Sequence, residues 1–354
     1  MLGSVTDEVL STRALNRALL ARQLLLERSR GSLTGALERV AGLQTQYAPS
    51  AYIALWSRVE GFRREALTRA LHQRRAVQAT LMRSTIHVVS ARDFPLFATA
   101  IRRPRQEWWA RVQRRQMEGV DMEDVARRVR TFLADGPRHR RELEEFLREE
   151  GFPRIAAASV GMWVDLVRVP PSGTWEQRRA DLYALADDWV GATDATEAES
   201  QEHIIKRYLG GFGPASLGDI ASWAGLQVTM VRAVTDRLRL RRFRDEQGGE
   251  LLDLPRAPLP DPDTPAPVRF LPTWDATLLV HARRTQILPE RYRNLVFDTK
   301  TPHSVSTFLV DGAVAGTWRF DGGRIRLDPY EPIPRSFRRE LDAEASRLAG
   351  FHAD

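Results

Sequence analysis

Six prolines stand at positions 255, 258, 260, 262, 265 and 267, and no regular helix or inner strand can run through them. Each ring fixes φ and removes one N–H donor, so 255–267 reads as an extended linker or wrapping arm. The two sides of this arm carry different periodicities. Before it, apolar residues mostly recur at helical spacing. After it they come in short β-like runs, split by Asp311-Gly312 and Asp321-Gly322-Gly323, both strong hairpin turns. With 354 residues, 43% of them apolar, the chain can form two or three folding units with sizeable cores.

The clearest local pattern before the arm lies in 216–254. Ser216 can cap a helix over 217–223, Ala224-Gly225-Leu226 makes a turn, and 228–238 forms a second helix. Runs at 240–244 and 250–254 flank a polar turn and read as a wing. Near the N-terminus, Ser11 or Thr12 can cap a helix over 14–28, and Leu33, Leu37, Val40 and Leu43 stripe a second. Ser50 is placed to cap 51–59, and 65–72 forms another helix. The alternation in 81–89 predicts a strand, with Arg83, Thr85 and His87 on one face and Met82, Ser84, Ile86 and Val88 on the other. Residues 94–132 are helical, with a kink or break at Pro104. Helices at 141–150 and 155–166 then lead into 167–175, read as strand, wing turn and strand, whose paired prolines argue against a central strand. Beyond the arm, β-like runs fall at 268–271, 277–280, 304–310, 314–320 and 324–327, and a helix at 335–348 closes the chain.

The expected fold is therefore mainly α with β: tandem winged-helix units, each a helix-turn-helix plus wing, followed by a small C-terminal β-domain. The boundaries are 1–134 for the first unit with a helical connector, 135–192 for the second and 193–254 for the third. The Pro-rich linker follows at 255–267, and the β-domain with its terminal helix at 268–354.

Charge narrows the function. The formal net charge is +7, and Lys206 and Lys300 are the only lysines, so almost all positive charge is arginine. Between 61 and 118 thirteen arginines face four acids. Guanidinium binds phosphate in a fixed fork and stacks on rings, so this stretch predicts the footprint of a polyanion. The absence of cysteine excludes disulfides, zinc–thiolate sites and thiol catalysis. No apolar run is long enough for a membrane span, and no signal-peptide pattern opens the chain; a cytoplasmic protein is expected. No metal-ligand cluster, Gly-x-Ser-x-Gly or phosphate-loop lysine occurs, so no metal or cofactor is predicted. On these grounds alone, a DNA-binding regulator would be the obvious function.

Gln44-Thr45-Gln46 adds chemistry. Ala48 precedes Pro49 and is therefore pushed away from helical geometry, which predicts the end of the preceding helix there. If 44–46 is extended, both carboxamides point to one side. Amides donate and accept hydrogen bonds without titrating, so the pair can hold a water molecule but cannot deprotonate it.

The order of motifs along the chain supplies an identity for that pair. Ala-Gly-Leu-Gln-Thr-Gln-Tyr-Ala-Pro-Ser (41–50), Leu-Met-Arg-Ser-Thr-Ile-His (81–87), Pro-Pro-Ser-Gly-Thr-Trp (170–175), Leu-Pro-Thr-Trp-Asp (271–275) and Val-Asp-Gly-Ala-Val-Ala-Gly-Thr-Trp (310–318) occur in turn. This pattern resembles the AlkZ-like winged-helix DNA glycosylases of the YcaQ/AlkZ superfamily, in the branch with Gln-x-Gln. The resemblance implies a C-shaped scaffold and a monofunctional glycosylase that removes N7-alkylguanines, including those in interstrand cross-links, in base excision repair or self-resistance. It implies Gln44 and Gln46 as catalytic residues. It implies a role in DNA contact, or behind the glutamines, for Arg83, Thr85 and His87, which match an Arg-x-Thr-x-His strand, and contact with DNA for Lys300, Thr301 and His303, which match a hairpin approaching DNA. Trp274-Asp275 also resembles a family motif, with Asp275 read chiefly as a brace. Trp108, Trp109, Trp163 and Trp175 are read as packing residues. The implied partner is duplex DNA carrying alkylated guanine, bound by a monomer near the nucleoid. The alternatives are a non-catalytic winged-helix regulator and a protein that sequesters the alkylating metabolite. Lyase chemistry needs an amine, and both lysines are distant from the glutamines in sequence.

Overall fold

Capping side chains set where the N-terminal helices begin. The computed structural model describes residues 8–279, 285–298 and 303–353. Ser11 Oγ accepts from the Ala14 N–H at 3.1 Å and starts Thr12–Arg22; Ser32 Oγ accepts from Gly35 at 3.1 Å and starts Leu33–Arg39. The next helix is Pro49–Arg58, with proline in its first turn, where a missing N–H costs nothing. Ala48 is therefore not the end of a helix, as the sequence suggested. At φ −50°, ψ −45° it leads into the following one, and the preceding helix stops at Arg39. The helix Phe94–Val112 runs through Pro104, and Met122–Leu133 follows on an Asp121 cap.

One antiparallel six-stranded sheet carries the middle of the molecule. Its order is Leu43–Gln44, Ile86–Ser90, Ala76–Thr80, Leu166–Arg168, Leu182–Leu185, Arg138–His139. Leu166–Arg168 lies inside the sheet, which corrects the expectation from the proline pair: the prolines sit just past the strand and end it. Its partner on the far side is Leu182–Leu185, and Trp175 lies in the connecting loop, buried against Tyr52 and Phe351. The sheet crosses the 134/135 boundary through the pairing of Ala79 with Val167.

Leu217–Ala224, a left-handed Gly225 at φ 73°, Val228–Thr235 and the hairpin Arg241–Asp245/Glu250–Asp253 follow the sequence reading closely. Val9–Leu10 adds a parallel strand to that hairpin. The four-stranded sheet Arg269–Leu271, Thr307–Val310, Ala313–Asp321, Arg324–Pro329 and the helix Arg335–Ala353 complete the chain. One expected strand, 277–280, is instead a turn of helix, Ala276–Leu279, held by Asp275, which accepts from the Thr277 N–H and hydroxyl; Val280 lies outside the described residues. No helix among the described residues is long and apolar enough to cross a membrane.

The arm 255–267 does wrap. Its carbonyls, which have no ladder partners, are met by arginines from the first helix: Arg22 donates to Pro258 O, Arg13 to Pro262 O and Arg17 to Thr264 O, at 2.9, 2.8 and 2.7 Å. Arg17 and Arg13 also grip the carboxylate of Asp311 in the β-domain hairpin turn. Arg22 is fully buried and pairs with fully buried Asp253 through two bonds, at 2.6 and 3.0 Å. Beneath these contacts, helices 33–39, 49–58 and 64–72 share one apolar core with the C-terminal sheet and helix, where Phe351 packs on Trp56 and Phe62.

Candidate active site

The site is assembled at the edge of the six-stranded sheet. Leu43 and Gln44 pair with Val88 and His87, and the Thr45 N–H still reaches Ile86 O at 2.8 Å. The chain then bends, and the Gln46 side chain takes over the ladder. Its Oε1 accepts from the Ile86 N–H at 2.7 Å, so the Gln46 carboxamide is fixed although the residue is exposed. Gln44 is extended as expected; Gln46 is not, and its direction comes from this side-chain bond. Gln44 is 5% exposed, and its Oε1 accepts from Arg83 Nη2 at 2.7 Å. The Gln44 carboxamide thus hangs on the strand and the Gln46 carboxamide two residues on, past its end; each oxygen accepts one bond among the described residues, which leaves a second lone pair beside the amide's two N–H donors.

Arg83 does not lie in a strand. The expected strand over 81–89 begins only at Ile86; Met82–Ser84 is a tight 3-10 turn between the two strands of a hairpin. Arg83 (φ 53°, ψ 24°) and Ser84 (φ 57°) are both left-handed, a conformation that costs roughly 1–2 kcal/mol for each non-glycine residue. Thr85 holds the turn shut: its N–H donates to Met82 O at 3.1 Å and its hydroxyl to the same oxygen at 3.0 Å. The strained turn aims the half-buried Arg83 guanidinium at two acceptors, Gln44 Oε1 and Trp223 O, the latter at 2.8 Å. Burial pushes the guanidinium down to about 10, so it stays cationic at neutral pH, and no carboxylate pairs with it among the described residues.

His87 lies opposite Gln44, 2% exposed. Direct contact with DNA, expected from the sequence, is not open to a ring so enclosed. It supports the strand behind Gln44. Its Nδ1 lies 3.0 Å from Thr85 O, which can only accept, so the proton is on Nδ1. Burial pushes this imidazole down to about 3. Since the unfolded chain takes up the proton first, neutral His87 contributes stability that is complete above pH 6.5 and is lost as pH falls toward 3. Between pH 7 and pH 5 that loss is about 2 kcal/mol. Urea unfolding at the two pH values should show it in the wild type, and a His87→Gln variant should lack that share.

The rim carries further polar groups. Arg178, from the loop between Leu166–Arg168 and Leu182–Leu185, donates to Tyr47 Oη at 2.6 Å and lies over the Tyr47 ring. Sequence reasoning missed both; only their exposed aromatic and basic character was a signal. Ser50 and Thr273 bond hydroxyl to hydroxyl at 3.0 Å, tying the start of 49–58 to the 272–275 loop. Within that loop the Trp274 N–H donates to Ser304 Oγ, anchoring the antiparallel pair Phe297–Asp298/His303–Ser304. Asp275 is buried and accepts from Arg58 Nη2 at 2.8 Å, a brace as expected. His303 belongs to that strand pair by its backbone; Lys300 and Thr301 lie outside the described residues.

The site is thus a pair of fixed amides at a sheet edge beside a guanidinium that no carboxylate pairs among the described residues, and that guanidinium also reaches the helix Leu217–Ala224 through Trp223 O. The family model for DNA glycosylase AlkZ-like proteins matches residues 37–351, and the chain belongs to that family of DNA glycosylases. Its fold is similar to that of the Streptomyces sahachiroi DNA glycosylase AlkZ, with a TM-score of 0.81, 18% sequence identity and 97% of each chain covered. No curated protein matches the sequence significantly.

Proposed function

We propose that the protein is a monofunctional glycosylase that hydrolyses the N-glycosidic bond of N7-alkylguanine in duplex DNA, including guanines tied into interstrand cross-links. Its cellular role is base excision repair or self-resistance to DNA-alkylating natural products. In this reading the scaffold is three tandem winged-helix units, 1–134, 135–192 and 193–254, with the β-domain at 268–354, working as a monomer in the cytoplasm at the nucleoid.

An N7-alkylated guanine is cationic, so its bond to deoxyribose is already weakened and the leaving base needs little protonation. What remains is to bring water to C1′ of an oxocarbenium-like sugar. Gln44 and Gln46 are suited to that. The free lone pair on each Oε1 accepts a hydrogen from one shared water, and neither amide has to take a proton. The observation that carries this reading is that the two carboxamides, two residues apart at the end of one edge strand, are each pinned by a hydrogen bond, Gln44 by Arg83 and Gln46 by the Ile86 N–H. Arg83 uses two of its five N–H donors on protein acceptors, leaving donors and a full charge for a DNA phosphate beside Gln44. Thr85 closes the turn that aims it, and Lys300, Thr301 and His303 are assigned to contact with DNA on the resemblance alone. A cross-linked base cannot be flipped into a closed pocket, so a site at a sheet edge, with Gln46 and Tyr47 exposed beside the buried Gln44, suits this substrate.

The test is incubation of purified protein with duplex carrying N7-methylguanine or a nitrogen-mustard cross-link, followed by alkaline cleavage. Strand breaks at the lesion are the expected result. A DNA mobility shift with every glycosidic bond intact would instead identify a binding protein that regulates, and drug binding without DNA one that sequesters.

A further inference from the structure

A cleft of about 550 Å³ has Arg83, the residue that holds Gln44, in its lining. One wall is the helix Phe94–Val112, through Pro104, Trp108 and Arg111; the other is the turn Gly225–Gln227 of the helix-turn-helix. Trp109 is a packing residue, its indole N–H donating to Ser159 Oγ at 2.8 Å. Trp108 packs beside the Trp109 ring, their centroids 5.8 Å apart, yet it is not a core residue: 46% of it is exposed. The ionisable residues lining the cleft are Arg83, Arg105 and Arg111, with no carboxylate. Arg105 is committed to Thr80 O and Gly161 O, but Arg111 makes no ion pair among the described residues and stands exposed at the rim. Opposite it begins the helix Val228–Thr235, whose N-cap residue Gln227 offers no side-chain cap, so its first N–H groups are open to an anion.

A half-exposed indole, an uncommitted guanidinium and an uncapped helix start, with no carboxylate among the residues that line the cleft, form a combination that suits one nucleotide freed from base pairing. The base stacks on the ring and the phosphate meets the guanidinium and the N–H groups. We propose that this cleft receives an unpaired nucleotide of the DNA while Gln44 and Gln46 work at the lesion beside Arg83. The inference rests on DNA being the substrate but not on the excision chemistry, and it places part of the recognition in a displaced base and not in the damaged one.

Binding to undamaged DNA tests it independently of excision. Fluorescence anisotropy would compare a fully paired duplex with the same duplex carrying one unpaired thymidine. The wild type should bind the bulged duplex roughly tenfold more tightly, the worth of one base on an aromatic ring. Trp108→Ala should erase that preference and leave affinity for the paired duplex unchanged; Trp108→Phe should keep most of it. Arg111→Gln should weaken the bulged complex more than the paired one. Both positions are exposed, so the variants should unfold at the wild-type midpoint. Equal binding of the two duplexes by the wild type, or a preference that survives Trp108→Ala, overturns the proposal.

Discussion

Alanine at Gln44 or at Gln46 should slow release of N7-methylguanine by roughly a hundredfold, the scale of losing a positioned reactant. Affinity for the same duplex should barely change. In the proposed mechanism the glutamines act on a water molecule and arginine supplies most of the grip on DNA. Gln44→Glu is the sharper variant. It keeps the length and shape of the side chain but places a carboxylate against Arg83, and the ion pair should hold it as firmly as the amide. If a general base were all the site lacked, the carboxylate would raise the rate. If orientation by neutral amides is what matters, the rate should fall or hold. The wild-type rate should also be flat between about pH 6 and 9, because neither carboxamide nor guanidinium changes charge there. Single-turnover kinetics in which Gln44→Ala and Gln46→Ala match the wild type would remove the glutamines from the mechanism.

The second large effect is on stability. Asp253→Ala should cost about 3–5 kcal/mol, since it strands the Arg22 charge in the interior. Neither partner reaches solvent. Arg22 also donates to Leu209 O and Pro258 O, while Asp253 additionally accepts from Arg241 and from the Leu254 N–H. Arg22→Met should cost as much, because it leaves the buried carboxylate with only Arg241 and the Leu254 N–H and takes a donor from each of Leu209 O and Pro258 O. The double variant Arg22→Met/Asp253→Leu should recover much of the loss, as apolar replacement of a buried pair usually does. It should not recover all of it, because Pro258 O then lacks its donor. Urea unfolding measures each term, and single variants within 1 kcal/mol of wild type would mean that the pair is not a structural clasp.

The sequence was legible where local chemistry decides the structure. Ser216, Gly225 and the alternation beyond Leu240 are each a cap, a stop or a strand signal acting within a few residues, and 216–254 folds as they direct. The Asp311-Gly312 turn announces itself the same way, with both residues at positive φ. Around the candidate site the local signals mislead. Arg83 and Ser84 adopt left-handed geometry without a glycine to mark it, and 81–89 alternates well enough to pass for an unbroken strand. Ala48 takes helical angles before a proline because the helix 49–58 is fixed by its packing against the C-terminal core. Nothing local can show that Ala79 pairs with Val167, or that Gln46 finishes a ladder with its side chain. The residue types at the site were readable; their support was not, since it comes from partners distant in the chain.

The shared core of the chain's two ends has a mechanical consequence. With Phe351 seated among Trp56 and Phe62, and the proline arm fastened by three arginines of the first helix, the molecule is closed like a buckled belt. Opening about the linker to fit a rigid duplex would have to break these contacts first. The work of distortion then falls on the nucleic acid, and lesions that already soften or bend the double helix become the cheapest ones to engage.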